Sequence, residues 1–380
     1  HTGVATSAPL LRKVARLKYL ALASWSLLIN SAPLVVLRQC NRRTSIGHAF
    51  LEEWQAPKHN TRSTRMADQF NAESTTDDVI AGVDLTGKTA VITGGSAGLG
   101  IETGRALASA GARVVMVARD AGKLSGAVAP LREQFPDAVF EEEVMDLADL
   151  DSVRAAGERM RERYPEIHLL INNAGVMACP EGRTAQGFEL QFGTNHVGHF
   201  LFTCLLAPSL LAGAPGRIVN LSSAGHRFGG VDFDDPNYQQ RDYDKWQAYG
   251  QSKSANALFS VGLEKRLGDR GVHAYAVHPG MIVTELGRHL EQADIDALTA
   301  RASGMATGFK TVPAGAATSV WAATSADLEG RGGLYLEDCH IAEVGDPQSG
   351  HGVADYAIDP GAADQLWTLS EELVGQRFEL

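Results

Sequence analysis

Tyr249 and Lys253, in the run Tyr-Gly-Gln-Ser-Lys, are the residues of this 380-residue chain best placed to move a proton. They stand four apart in a helical pattern, so phenol and ammonium share one face and converge. A cation beside a phenol favours the phenolate and is expected to lower the tyrosine pKa, giving an acid/base usable near neutral pH. Tyr249 is the only tyrosine here with a lysine at that offset. The pair alone is not specific, because such spacings also arise by chance. A second candidate lies far upstream, in Thr93-Gly94-Gly95-Ser96-Ala97-Gly98-Leu99-Gly100. Glycines so spaced let a backbone turn tightly and approach a ligand. A helix starting behind them offers free N–H groups to a phosphate. The same letters fit G-x-S-x-G, with Ser96 as the nucleophile of a hydrolase elbow. A plain strand-to-helix turn is the third reading.

Alternating strand and helix patterns after Leu85 supply the frame that must position these residues. Short runs rich in Val and Ile predict strands over 89–93, 113–118, 139–144, 169–172, 217–221, 272–277 and 333–336. Helical patterns fill 99–110, 121–135, 151–163, 187–211 and 248–267. Such alternation predicts an α/β fold: a single doubly wound parallel sheet of the Rossmann type, with helices on both faces, over residues 83–380. Right-handed crossovers place all strand carboxyl ends on one edge, where ligands bind.

Several residues fall on that edge. The second strand ends in Ala118-Arg119-Asp120. An NAD site usually carries an acid there for the ribose 2′-OH, whereas an Arg accommodates a 2′-phosphate, so Ala118 and Arg119 favour NADP(H), with NAD(H) the alternative. Asp146, followed by Leu147, either bonds an adenine amine or caps the next helix. Asn172-Asn173-Ala174-Gly175 brings amide dipoles and bare backbone towards a cofactor, or forms an Asx turn. Ser223 is a hydrogen-bond donor or a turn residue. After the sixth strand, His278-Pro279-Gly280 turns the chain, and Thr284 is placed to bond a carboxamide. His196, His199, His226 and His278 show no metal spacing and are read as structural or pocket-lining.

Composition bounds the remaining choices. The chain carries a formal charge of −11, but residues 1–65 hold ten Lys/Arg and only Glu52 and Glu53, leaving 24 basic and 43 acidic residues for the rest. An acidic main body excludes nucleic acid as the expected partner. Four scattered cysteines, Cys40, Cys179, Cys204 and Cys339, suggest reduced thiols and an intracellular, cytoplasmic protein. Residues 1–82 read as an N-terminal extension, basic and partly apolar to about 65. Tyr19–Leu37 is long enough to act as a membrane anchor, or else is a targeting segment. The preferred reading treats residues 1–65 as foreign to the native protein, since the first methionine is Met66. Met66–Val83 reads as a short polar arm.

Taken together, the ordered motifs resemble the short-chain dehydrogenase/reductase superfamily: Thr93-Gly94-x-x-x-Gly98-x-Gly100, Asn172-Asn-Ala-Gly175, Asn195 in Thr-Asn-His-Val-Gly198, Ser223, Tyr249-x-x-x-Lys253 and Pro279-Gly280. Finer details look like its retinol-dehydrogenase-like and protochlorophyllide-reductase-like branch: Asn195-His-Val-Gly-His-Phe200, Asn220-Leu-Ser-Ser-Ala-Gly-His226, Ala276-Val-His-Pro-Gly280 and Gly332-Gly-Leu-Tyr335. The resemblance implies catalysis by Asn195, Ser223, Tyr249 and Lys253. Tyr249 would exchange a proton with the substrate oxygen while Ser223 orients the carbonyl. Lys253 would hold the ribose hydroxyls, and Asn195 a water linking Lys253 to solvent. Cofactor contacts fall to Thr93, Gly94, Ser96, Gly98, Leu99, Gly100, Arg119, Asp146, Leu147, Asn173, Ala174, Gly175, Pro279, Gly280 and Thr284, besides Tyr249 and Lys253. Met177, Phe192, Phe228, Phe233, Trp246, Met281 and Leu286 near the expected mouth suggest a small apolar carbonyl or alcohol substrate. Residues 282–311 read as a lid or as a surface helix pair. A non-catalytic NADP-binding module and, further off, a hydrolase using Ser96 are the competing functions.

Overall fold

The computed structural model describes residues 70–303, 308–345 and 351–380. Tyr19–Leu37 and Cys40 lie outside them. β1 (Thr89–Thr93), β2 (Arg113–Ala118), β3 (Phe140–Val144), β4 (Leu169–Asn172), β5 (Gly216–Leu221), β6 (Val272–His278), β7 (Leu334–Glu337) and β8 (His340–Ile341) form one sheet in the order β3-β2-β1-β4-β5-β6-β7-β8. The first seven strands pair in parallel, as the apolar runs predict. The sheet is not wholly parallel: β8 returns antiparallel beside β7 through Asp338 and Cys339, both at positive φ. Two residues are too few for a periodic signal, so this strand left no pattern to find.

Side chains alternate across the pleat and build a core on each face. Val91, Val115, Leu170 and Ile218 face one side, with α4 (Leu150–Arg163), α7 (Lys245–Leu267) and α10 (Pro360–Val374) packed over them. Ile92, Met116, Ile171 and Val219 face the other, under α2 (Gly98–Ser109), α3 (Ala121–Gln134) and α9 (Val312–Thr324). This is the doubly wound arrangement, in which strands are buried on both faces and therefore read as continuous apolar runs.

Three departures from expectation bear on the site. The polar arm contains α1 (Thr76–Ile80), capped by Thr75 in a capping box and buried through Val79 and Ile80. The helix predicted over 187–211 begins as α5 (Leu190–Phe192), opens into a π turn (Gly193–Val197) and resumes as α6 (Gly198–Ala212). The lid segment forms a 3₁₀ turn (Glu285–His289) and α8 (Gln292–Ser303). Asp294 bonds Lys245 Nζ at 2.6 Å and Trp246 Nε1 at 3.2 Å, tying α8 to the start of α7.

Candidate active site

Parallel register places the ends of β1, β2, β4, β5 and β6 along one edge, and the predicted site residues converge there. Gly94 follows β1 at φ +70°, a left-handed conformation that favours glycine. A Cβ on Gly94 would stand 2.8 Å from Asn173 Nδ2, and one on Gly100 would overlap the Gly94 carbonyl oxygen. Only glycine fits at these two positions. Behind it, α2 has Ala97 at its N-cap with no side-chain hydrogen bond. Helices α3, α4, α7, α9 and α10 are capped by Asp120, Asp149, Asp244, Thr311 and Asp359. The first N–H groups of α2 therefore lack a side-chain acceptor, which suits a phosphate. The turn thus fits a dinucleotide.

Asn173, Ala174 and Gly175 line the adjacent strand end. Asn173 Nδ2 donates to the Thr93 carbonyl at 2.8 Å, and the Asn173 and Ala174 N–H groups donate to Thr93 Oγ1 at 2.9 and 3.0 Å. Thr93 is itself buried and braces the turn from beneath. Asp146 closes an Asx turn on Ala148 N, at 2.9 Å, while Asp149 caps α4; the capping alternative for Asp146 is therefore set aside. Leu147 is buried, its carbonyl packed where a Gly198 side chain would stand. Ser96 and Leu99 are half-buried in the turn, and Arg119 is exposed at the end of β2. Pro279 and Gly280 turn the chain after β6, and Thr284 packs at 3.4 Å from where a Gly98 Cβ would lie. The lid base thus rests on the glycine turn.

At the other end of the cleft, α7 carries Tyr249 and Lys253, both buried. Ser223, at the N-cap of a 3₁₀ turn (Ala224–Phe228), accepts from Gly225 N at 3.0 Å, and its Oγ and the Tyr249 ring both flank the Gly225 backbone. Lys253 Nζ lies 5.7 Å from the Tyr249 ring centroid and donates to the Leu221 carbonyl at 2.9 Å. The expected drop in the Tyr249 pKa is not what this geometry produces. Burial pushes the phenol up to about 12, against a smaller lowering by Ser223. Burial likewise pushes Lys253 down to about 7. Both shifts disfavour charge in a dry pocket, so the lysine stabilises a phenolate less than its spacing implied.

Asn195 sits in the π turn, a feature that often marks functional sites. Its side chain is committed to the protein: Oδ1 accepts from Val176 N at 2.8 Å, and Nδ2 donates to the Val176 carbonyl and Ser252 Oγ, each at 2.9 Å. His199 completes this network. Its Nδ1 contacts the Asn195 carbonyl at 2.9 Å and its Nε2 contacts Thr93 Oγ1 at 2.8 Å. Thr93 Oγ1 already accepts two N–H groups, so it donates its own proton to Nε2, and His199 is assigned neutral with the proton on Nδ1. Burial agrees, holding His199 at about 4. The sequence pattern hides this link, because the i to i+4 bond crosses a π turn that periodicity does not reveal.

Other expectations shift. Phe192 is fully buried beside His196, with ring centroids 5.3 Å apart, and belongs to the core rather than the mouth. Phe233 packs against the same core. Phe228 and Trp246 meet edge to face, with ring centroids 5.7 Å apart. The histidines a hydrolase would need are engaged elsewhere: His196 with Ser370, His199 with Thr93, His226 with the Ser223 carbonyl and His278 with Ala224 N. Among the described residues, no group of three His, Cys, Asp or Glu is placed to hold a metal, and no helix is long and apolar enough to cross a membrane.

Comparison with known proteins agrees with this arrangement. Residues 88–295 match the family model described as short chain dehydrogenase. Retinol dehydrogenase 12 of Mus musculus is 41% identical over 297 residues, covering 78% of this chain and 89% of that protein. The crystal structure of an uncharacterised protein from Mycobacterium Paratuberculosis superposes with a TM-score of 0.62 at 34% identity, covering 81% of this chain and all of the other. The Pseudomonas aeruginosa RhlG/NADP active-site complex gives a TM-score of 0.54 at 25% identity, covering 67% of this chain and 95% of that one. Uncapped glycine turn, edge residues and relatives converge on one conclusion: the chain belongs to the short-chain dehydrogenase/reductase superfamily, in its retinol-dehydrogenase-like branch, and is an NAD(P)(H)-dependent oxidoreductase of alcohol and carbonyl groups.

Proposed function

We propose that the protein is an NADP(H)-preferring oxidoreductase in which Tyr249 exchanges a proton with the oxygen of an apolar carbonyl or alcohol substrate. The observation that carries this reading is the placement of Ser223 Oγ and the Tyr249 ring against the same Gly225 backbone, one helical turn from Lys253 and on the same sheet edge as the glycine turn. The bound nicotinamide supplies or accepts the hydride at the substrate carbon. Tyr249, held as a phenol by burial, is in the state a proton donor needs for carbonyl reduction. As hydride reaches carbon, the carbonyl oxygen takes the phenolic proton, leaving a phenolate that Ser223 and Lys253 stabilise. Ser223 also donates to the carbonyl oxygen and orients it. With its side chain committed, Asn195 serves proton exchange only through its main-chain carbonyl, which already accepts from His199.

Arg119 supports the NADP preference. It stands where an acid would read a ribose 2′-OH, and Asp120 beside it is occupied in capping α3. Phe228, Trp246, Met281 and Leu286 support the apolar substrate class, since Phe228 stays exposed at the mouth.

NADPH oxidation against a panel of apolar aldehydes, ketones and retinoids tests the proposal. Turnover is expected with an apolar carbonyl, and Tyr249→Phe is expected to reduce kcat by about 10³-fold or more. Unchanged turnover in that variant would falsify the assignment of the acid/base. Arg119→Asp is expected to weaken NADPH at least about tenfold more than NADH; equal losses would remove Arg119 from 2′-phosphate recognition.

A further inference from the structure

The turn that carries Ser223 is held from several sides, and His226 stands at the centre of the hold. His226 is fully buried, and both of its ring nitrogens are engaged. Nδ1 lies 2.7 Å from the Ser223 carbonyl oxygen, and Nε2 accepts from Ala354 N at 3.1 Å. A main-chain N–H only donates, so Nε2 carries the lone pair and Nδ1 the proton, which points to Ser223. Burial agrees, holding His226 neutral with a pKa of about 4. The His226 carbonyl accepts from Ser254 Oγ, the residue after Lys253 on α7, at 3.0 Å, and from Tyr356 Oη at 2.7 Å. The Tyr335 ring of β7 lies beside the imidazole, with centroids 5.0 Å apart. Arg227 Nη2 donates to the Gly352 carbonyl, and Gly352 N donates to Glu337 Oε1 at 2.7 Å. Residues 352–356 are thus bonded to the turn of Ser223, although 128 positions separate His226 from Ala354 in the chain.

A Cβ on Gly225 would stand 3.4 Å from Ser223 Oγ and 2.7 Å from the Tyr249 ring. A tilt of this short stretch therefore moves the serine hydroxyl relative to the phenol. The Ser223 carbonyl also accepts from His226 N at 3.0 Å, so one residue grips it through both main chain and side chain. A leucine would fill the same buried space without desolvating ring nitrogens. A buried histidine with both nitrogens bonded instead fixes one arrangement of its neighbours. We propose that His226 is a positioning residue for the reaction: it holds the Ser223 main chain through Nδ1 and braces it through Nε2 against Ala354. This inference rests on the role of Ser223 argued above. It makes the place of the serine hydroxyl depend on the C-terminal segment as well as on the end of β5.

Steady-state turnover of the full chain with NADPH and the best apolar carbonyl of the panel, beside fluorescence titration with NADPH, tests the inference. His226→Leu is expected to lower kcat at least about tenfold with the NADPH Kd within about twofold, because the serine shifts and the glycine turn does not. His226→Asn places an amide donor where Nδ1 stands, and His226→Gln an amide oxygen where Nε2 stands. His226→Asn, which restores the bond to Ser223, is expected to recover kcat at least about fivefold over His226→Leu, and His226→Gln, which restores only the bond to Ala354, less than about twofold. If His226→Leu does not fold, the pair decides alone: kcat of His226→Asn is expected to exceed that of His226→Gln by at least about threefold. A recovery by His226→Gln that equals or exceeds that of His226→Asn would make His226 a structural tie only and overturn the inference. A kcat within about twofold in His226→Leu, or a Kd that weakens in step with kcat, would overturn it too. Ser223→Ala is the separate control on the parent reading. If it lowers kcat and the His226 variants do not, the role of Ser223 stands and that of His226 fails. If Ser223→Ala keeps its turnover, the role of Ser223 itself fails, and the inference with it.

Discussion

The two ends of the cleft are built on opposite plans. At the glycine end, protein groups are left open: α2 starts without a side-chain cap, Arg119 has no carboxylate partner among the described residues, and the turn admits no Cβ at Gly100. At the tyrosine end, polar groups are bonded by the protein itself: Asn195 to Val176 and Ser252, His199 to Asn195 and Thr93, and Lys253 to Leu221. The difference teaches where binding and where chemistry reside. Unsatisfied donors attract an anionic cofactor, because a buried or half-buried N–H without a partner is unfavourable. A satisfied network holds the acid/base still, which is what proton transfer requires.

Acid should break the closed end with the largest effect. His196, His199, His226 and His278 are held by burial at about 3, 4, 4 and 3, against 6.5 unfolded. The folded state therefore binds fewer protons than the unfolded chain between those values, and stability falls as pH drops below about 6.5. Each group contributes a slope of up to about 1.4 kcal/mol per pH unit. Circular dichroism should show unfolding between about pH 6 and pH 4; a fold intact at pH 3.5 would mean the histidines are not buried neutral. Next in size, Asn195→Ala removes three hydrogen bonds and leaves the buried Val176 backbone unpaired. Denaturant melts should show a loss of about 3 kcal/mol, and a loss under 1 kcal/mol would mean the network is not holding the site. Smallest, and confined to the open end, Gly100→Ala should weaken NADPH about 100-fold, or about 2.7 kcal/mol. Fluorescence titration reads this, and an unchanged affinity would deny the turn its role as phosphate cradle.

Much of the open end was legible in the sequence, because its signals are local. Glycine spacing, an apolar run before it and Arg119 after the next strand each report on a few neighbouring residues. Three predicted strands, 89–93, 113–118 and 169–172, match their observed bounds for the same reason. The closed end was legible as a list of residues but not as a structure. Burial, not the neighbouring charge, sets the state of Tyr249 and Lys253, and burial depends on helices packed from far along the chain. The His199 link crosses a π turn, which periodicity does not reveal. Phe192, expected near the mouth, is buried in the core beside His196. Neither α1 nor β8 was foreseen, each being too short to show a period.

The separation of binding from chemistry is tested most directly by the NADPH affinity of Tyr249→Phe, read by protein fluorescence alongside its turnover. The account predicts a Kd within about twofold of the unsubstituted protein, since the glycine turn and Arg119 are untouched, with kcat down by about 10³-fold or more. A Kd that weakens in step with kcat would show that the phenol holds the cofactor rather than the proton, and would contradict the division of the cleft.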